Sequence, residues 1–259
     1  MRIAFAIIFL VTSLLASCGK SDNNTNTAVP ANTNSSPGLP DYKPIAPTTA
    51  VNPGFKACNP YYPLVPGSMV KYKIEYSSGL LAGVTIVVDS ADEGGRKTFV
   101  ETTQIVDSGG GLEKLEKMVR KYVCDGERVQ INYEKGNNRA GNLANDIELK
   151  FLGTAVALLD PASLTRHGTK WSYSFKQVFT VPGQRPIEPE EPITINFEAL
   201  GDEVVKTDAG EFKTVKIGRR VGDKLGTDFF ARGIGLVKRI GPDGTAWKLV
   251  EYSGVKPLE

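Results

Sequence analysis

The chain has 259 residues, with 31 Lys plus Arg against 29 Asp plus Glu and a formal net charge of +2. A charged fraction of 23% beside 41% hydrophobic residues excludes a chain disordered throughout and a multi-span membrane protein, and the near-neutral balance gives no reason to expect a nucleic-acid partner. A single His is limiting, because most zinc sites and general-base triads use at least one, while 27 Gly and 16 Pro argue for many turns rather than long helices.

Arg2 opens a short basic region, and Ile3 to Leu15 is an almost unbroken apolar run. As a helix that run reaches roughly 20 Å, too short for a hydrocarbon core of about 30 Å. It reads as a secretion signal and not as a membrane span. Leu15-Ala16-Ser17-Cys18 follows. This tetrapeptide resembles the lipobox of bacterial lipoproteins, in which the Cys thiol takes a diacylglyceryl group and becomes the first residue after cleavage. The resemblance implies a lipoprotein signal peptide over 1–17 and lipidation (palmitate-type acyl chains) at Cys18. One acyl chain holds a protein only marginally, at about 0.8 kcal/mol per buried methylene, so a stable anchor needs two or more. Gly19 and Lys20 lack the Asp that resembles an inner-membrane retention signal, which leans the location towards the outer membrane, facing the periplasm.

Residues 18–54 change composition. Asn23, Asn24, Asn26, Asn32 and Asn34 alternate with small residues, and Pro30, Pro37, Pro40, Pro44 and Pro47 punctuate the rest. Such a segment has too little apolar surface to offset its ordering entropy, so it is expected to be a disordered tether. The folded part is then 55–259.

Within it, period two dominates. Val70 to Tyr76 alternates apolar and charged residues, Val84 to Val88 is a β-branched run, and Lys97 to Val106 follows the Glu93-Gly94-Gly95 turn. Gly109-Gly110-Gly111 reads as a loop. Leu112, Leu115, Met118, Val119 and Tyr122 share a helical face, yet Met118, Arg120, Tyr122 and Cys124 also alternate with Val119, Lys121 and Val123, which favours a strand for the second half. Val156 to Leu159 is a short ambiguous stretch. Ile193 to Glu198, Phe212 to Ile217 and Trp247 to Tyr252 read as further strands. The expected fold class is all-β with little helix: a curved antiparallel sheet or open half-barrel.

The pattern also echoes itself. Gly67 to Ile74 lines up with Gly168 to Phe175, Gly95 and Phe99-Val100 with Gly210 and Thr214-Val215, and Tyr122, Gly126 and Val129 with Phe230, Gly235 and Val237. The halves 58–135 and 160–254 are therefore candidates for a duplication. Cys58-Asn59-Pro60-Tyr61-Tyr62-Pro63-Leu64 with Gly67, and Gly210 to Val215 followed by Gly233 to Lys238, resemble a group of uncharacterised bacterial envelope β proteins. That group usually has Trp where this chain has Val70; Trp171 supplies it only in the second half. The resemblance implies a curved sheet similar to the half-barrels of periplasmic lipoprotein carriers, and it brings no catalytic residue.

With Cys18 lipidated, Cys58 and Cys124 remain as a pair for a disulfide in an oxidising compartment; no Cys-x-x-Cys redox context is present. His167, beside Arg166 in a turn, reads as solvated. Glu188, Glu190 and Glu191 lie among Pro186, Pro189 and Pro192 and read as a stiff exposed tip rather than a calcium loop. No nucleophile elbow, zinc-protease or phosphate-loop motif occurs, so no catalytic, metal or cofactor residue is expected and the chain reads as a non-enzyme, with a hydrolase as the least supported class. Between Glu211 and Lys248 nine Lys or Arg oppose four acids. These form either a patch for anionic lipid or the solvated face of edge strands. Two readings follow. One is a membrane-anchored envelope lipoprotein whose non-catalytic β domain is a binding or assembly module for an envelope protein or lipid. The other is a periplasmic lipid or lipoprotein carrier holding acyl chains in a half-barrel.

Overall fold

The period-two runs become strands in the computed structural model, which describes residues 44–93, 96–107, 115–140 and 143–258. The signal peptide, Cys18, Gly109–Gly111 and the tether up to residue 43 lie outside the described residues. The strands are β1 (Met69–Glu75), β2 (Leu81–Glu93), β3 (Arg96–Asp107), β4 (Leu115–Asp125), β5 (Arg128–Ala140), β6 (Leu143–Leu152) and β7 (Ala155–Leu158), then β8 (Lys170–Thr180), β9 (Ile193–Thr207), β10 (Gly210–Val221), β11 (Lys224–Ala231), β12 (Gly235–Ile240) and β13 (Ala246–Ser253). One helical turn, α1 (Pro161–Leu164), sits between β7 and β8; Asp160 caps it through Ser163 N, and Pro161 opens it. The ambiguous run around Met118 is strand β4, and 156–159 falls largely in β7.

Each strand pairs antiparallel with its neighbours in the order β1-β2-β3-β4-β5-β6-β8-β9-β10-β11-β12-β13, and β13 pairs back with β1. Twelve strands therefore close a ring, with β7 beside the first residues of β5. The open half-barrel is corrected to a closed up-and-down barrel. Closure leaves no continuous free edge, which is how antiparallel sheets of this size avoid edge-to-edge association.

The echo extends beyond the sequence cues. Gly67 and Gly168 both adopt positive φ, 84° and 81°. Gly67 N donates to Val88 O and Val88 N to Ser68 O; in the same way Gly168 N donates to Ala199 O and Ala199 N to Thr169 O. A register shift falls just before Tyr122 on β4 and just before Phe230 on β11. The ring is thus two six-strand meanders, β1–β6 and β8–β13, joined at β6–β8 and β13–β1. The first half ends at residue 152, later than the expected 135, because β6 supplies its sixth strand.

Two segments before β1 pack on the barrel. Residues 55–65 lie at the end that carries the β4–β5 and β11–β12 turns. Asn59 Nδ2 donates to Glu127 O and Leu159 O, Gly233 N donates to Pro60 O, and Cys58 is disulfide-bonded to Cys124. The expected disordered tether is corrected over its last ten or so residues. Ile45 N donates to Gln104 Oε1, and Thr48 N and Thr49 N both donate to Asp89 Oδ1, each at 2.8 Å. A side chain at Gly67 would strike the backbone of 49–51, so glycine permits this close approach.

Candidate functional site

The side of the sheet that carries Tyr72, Ile74 and Trp247 faces the barrel interior, and it is not simply apolar. Glu101 of β3, Arg120 of β4 and Glu134 of β5 are cross-strand neighbours in one row. Arg120 Nε donates to Glu134 Oε2 at 2.8 Å and Nη1 to Glu101 Oε1 at 3.2 Å. Tyr62, from the segment before β1, reaches into the same place: its Oη donates to Glu101 Oε2 at 2.9 Å and lies 2.9 Å from Tyr122 Oη. Tyr122 Oη in turn donates to Glu101 Oε1 at 3.3 Å. The Tyr62 ring also packs 5.3 Å from Tyr122 and 6.2 Å from Phe230, the two residues paired in the sequence echo.

The other half carries the reverse arrangement. Asp228 of β11 accepts from Arg239 Nε at 2.8 Å and Nη2 at 2.9 Å, a bidentate pair, while Arg219 Nε of β10 stands 3.6 Å from its Oδ2. Acid–Arg–acid on β3, β4 and β5 therefore faces Arg–acid–Arg on β10, β11 and β12. These groups share one interior. Tyr173 of β8 feels the charges of Glu134, Arg120, Arg219 and Arg239, which stand on four different strands around the ring. Burial, with Glu134 adding to it, pushes the Tyr173 hydroxyl up to about 12. Burial likewise pushes Tyr62 and Tyr122 well above their ordinary values, with Glu101 adding to the rise. Both phenols stay protonated as donors to Glu101.

Burial pulls the Asp228 carboxyl upward, but Arg239 and Arg219 outweigh it and hold its pKa below the usual carboxylate value. Arg219 behaves in the opposite way: burial pulls its guanidinium below the ordinary range, and Asp228 offsets this only in part because Arg239 repels. An unfolded Asp titrates at about 3.9, so between that value and the lower folded one the native chain binds fewer protons than the unfolded chain. This contribution is fully present above about pH 4 and is lost as pH falls through the folded value. Urea midpoints should therefore drop as pH is lowered from about 6 to about 3, and Asp228→Asn should flatten that slope.

The outward side is different. Lys71 pairs with Glu251, Lys121 with Glu93, Lys150 with Glu188 of the β8–β9 loop and Lys248 with Glu75 at 2.5–2.7 Å, and the four lysines stand on positions that alternate with the interior ones. A barrel immersed in lipid presents an apolar band there, and a charge at mid-bilayer costs about 2–4 kcal/mol. These pairs put charge on the outward face. The basic stretch of 211–248 is divided between the two sides: Arg219 and Arg239 turn inward to Asp228, whereas Lys216 pairs with Glu203 and Lys248 with Glu75 outside. It does not form one patch.

His167 is exposed, as are Glu188, Glu190 and Glu191, with Glu188 pairing to Lys150 and Lys176. Of the expected site residues, Cys58 and Cys124 are brought together, at the end of the barrel opposite the β10–β11 turn. Sequence reasoning missed the interior charges. The signal was their phase, since Arg120 alternates in step with Met118 and Tyr122, both buried.

No family model matches the chain, and no curated protein matches it. Among solved structures it is similar to a Bacteroides fragilis protein with a YmcC-like fold, at 14% identity and a TM-score of 0.48, covering 72% of this chain and 95% of that one. That likeness is too distant to carry fold or function, which rest here on the strands and side chains themselves.

Proposed function

We propose that the chain is a bacterial envelope lipoprotein, held to the outer membrane by acyl chains on Cys18 and facing the periplasm, whose closed β-barrel is a non-catalytic binding or assembly module. The observation that carries this over a lipid carrier is the charged interior. Three arginines and three carboxylates line the space that an acyl chain would have to enter, and hydrocarbon there would face paired ionic groups and an Arg219 Nε that it cannot hydrogen-bond. The open concave sheet that a half-barrel carrier needs is replaced by a closed ring. The disulfide supports export, because such bonds persist in oxidising compartments. The charged outward face supports attachment through the lipid alone rather than insertion of the strands.

The mature chain with Cys18→Ser, purified gently and extracted for lipid mass spectrometry, tests the choice. It should carry no stoichiometric phospholipid. Close to one lipid per chain would reinstate the carrier reading.

A further inference from the structure

The two charge-reversed triads of the lumen are not equally satisfied. On β3–β4–β5 the surplus carboxylate, Glu101, receives Tyr62 Oη and Tyr122 Oη as well as Arg120. On β10–β11–β12 the surplus group is the Arg219 guanidinium. Asp228 gives both oxygens to Arg239, and Arg219 Nε, 3.6 Å away, has no hydrogen-bond acceptor among the described residues. The Arg219 side chain is only 7% exposed, and charged groups buried to this degree are almost always paired.

Three more buried N–H groups on the inward-facing side share this condition: Trp171 Nε1, Gln177 Nε2 and Trp247 Nε1. Every such atom among the described residues is a nitrogen, so the excess is one of donors, one of them on the cationic Arg219. Arg219 and Trp171 are the two cross-strand partners of Phe197, and Arg239 lies over the Trp247 ring at 5.7 Å. The chain's two tryptophans thus flank the arginine pair. Twelve strands enclose a wider interior than the eight whose side chains just fill a barrel. Gly226, opposite Arg219, adds nothing to that wall; a Cβ there would lie 3.2 Å from Arg219 Nη2.

We propose that the lumen binds a small oxyanion, a carboxylate or phosphate group, on the Arg219 guanidinium. The anion does for Arg219 what the two tyrosine hydroxyls do for Glu101, and it brings the Arg219–Asp228–Arg239 cluster to neutrality. The site depends neither on the Cys18 anchor nor on an envelope partner, so its test stands apart from theirs.

The mature chain with Cys18→Ser, prepared in chloride buffer, is dialysed to equilibrium against radiolabelled inorganic phosphate and, separately, against radiolabelled acetate at constant ionic strength. Tryptophan emission is read in parallel. Saturable binding of one anion per chain is expected with at least one probe, accompanied by a change in emission, and the better probe identifies the class. Arg219→Gln should weaken binding at least tenfold; Arg219→Lys, which keeps the charge and guards against a folding defect, should retain part of it; Lys150→Gln, in an exposed pair, should leave it unchanged. No saturable binding of either probe to the Cys18→Ser chain, or equal binding by Arg219→Gln, would overturn the proposal and leave water as the partner of these donors.

Discussion

Asp228→Asn should destabilise the protein by about 3–5 kcal/mol, because it leaves two buried guanidinium groups without a counter-charge. Asp228 is 3% exposed and is the one carboxylate within 4 Å of either Arg219 or Arg239 among the described residues. The comparison that gives this number meaning is Glu75→Gln. That pair with Lys248 is shorter, at 2.6 Å, but each partner is about one-third exposed, and solvent-screened pairs contribute at most about 1 kcal/mol. Urea unfolding should place the two variants several kcal/mol apart. Adding Arg239→Gln to Asp228→Asn should recover part of the loss, since the second change removes a charge that the first left stranded. Equal, small effects from both single variants would mean that the lumen is hydrated enough to screen the cluster.

Replacing Cys58 and Cys124 with Ala should cost about 4 kcal/mol, the chain-entropy value for a closed loop of this length, and should lower the melting temperature by roughly 10 °C. The bond spans 66 positions and ties the segment before β1 to the end of β4. That segment also places Tyr62 against Glu101 and Tyr122, so the loss extends to the order of the interior network. Reductant added to the wild-type chain should reproduce the variant's melting temperature, and thiol counting under denaturing, non-reducing conditions should find neither cysteine free. An unchanged melting temperature would show that Asn59, Pro60 and Tyr62 hold the segment without the bond.

The strand content was legible because one face of most strands is apolar and the other polar. Tyr72 and Ile74 against Lys71 and Lys73 is a pattern that only a half-buried strand satisfies. Closure was not legible. Whether a curved sheet stays open or joins its ends depends on β4 finding β5 while β1 finds β13, and nothing in any one strand specifies how many strands complete the ring. The lumen charges were hidden for a related reason. Period two assigns polar residues to solvent, so Glu101, Asp228 and Arg239 read as surface although their neighbours at i±2 point inward. The doubled pattern could be seen in Gly67 and Gly168, but the charge-reversed triads could not. Arg120 and Asp228, opposite in sign at matching positions of the echo, look like divergence in a sequence and like complementarity only in three dimensions, and Arg219 stands two residues beyond Ile217, the cross-strand partner of Asp228. The strap of 44–53 was missed because its attachment is made by backbone N–H groups to Asp89 and Gln104, which leaves no mark on the strap's own composition.

A water-facing barrel held to the membrane only by its acylated cysteine can be checked by labelling cells with a clickable palmitate analogue and fractionating them, comparing wild type with a Cys18→Ser chain whose residues 1–17 are replaced by a cleavable non-lipoprotein signal peptide, so that no apolar leader remains on it. The wild-type chain should take up label and sediment with the membranes. The Cys18→Ser chain should be unlabelled and soluble, with Cys58 and Cys124 still oxidised. An unlabelled wild type, or a Cys18→Ser chain that stays in the membrane through alkaline carbonate washing, would contradict it.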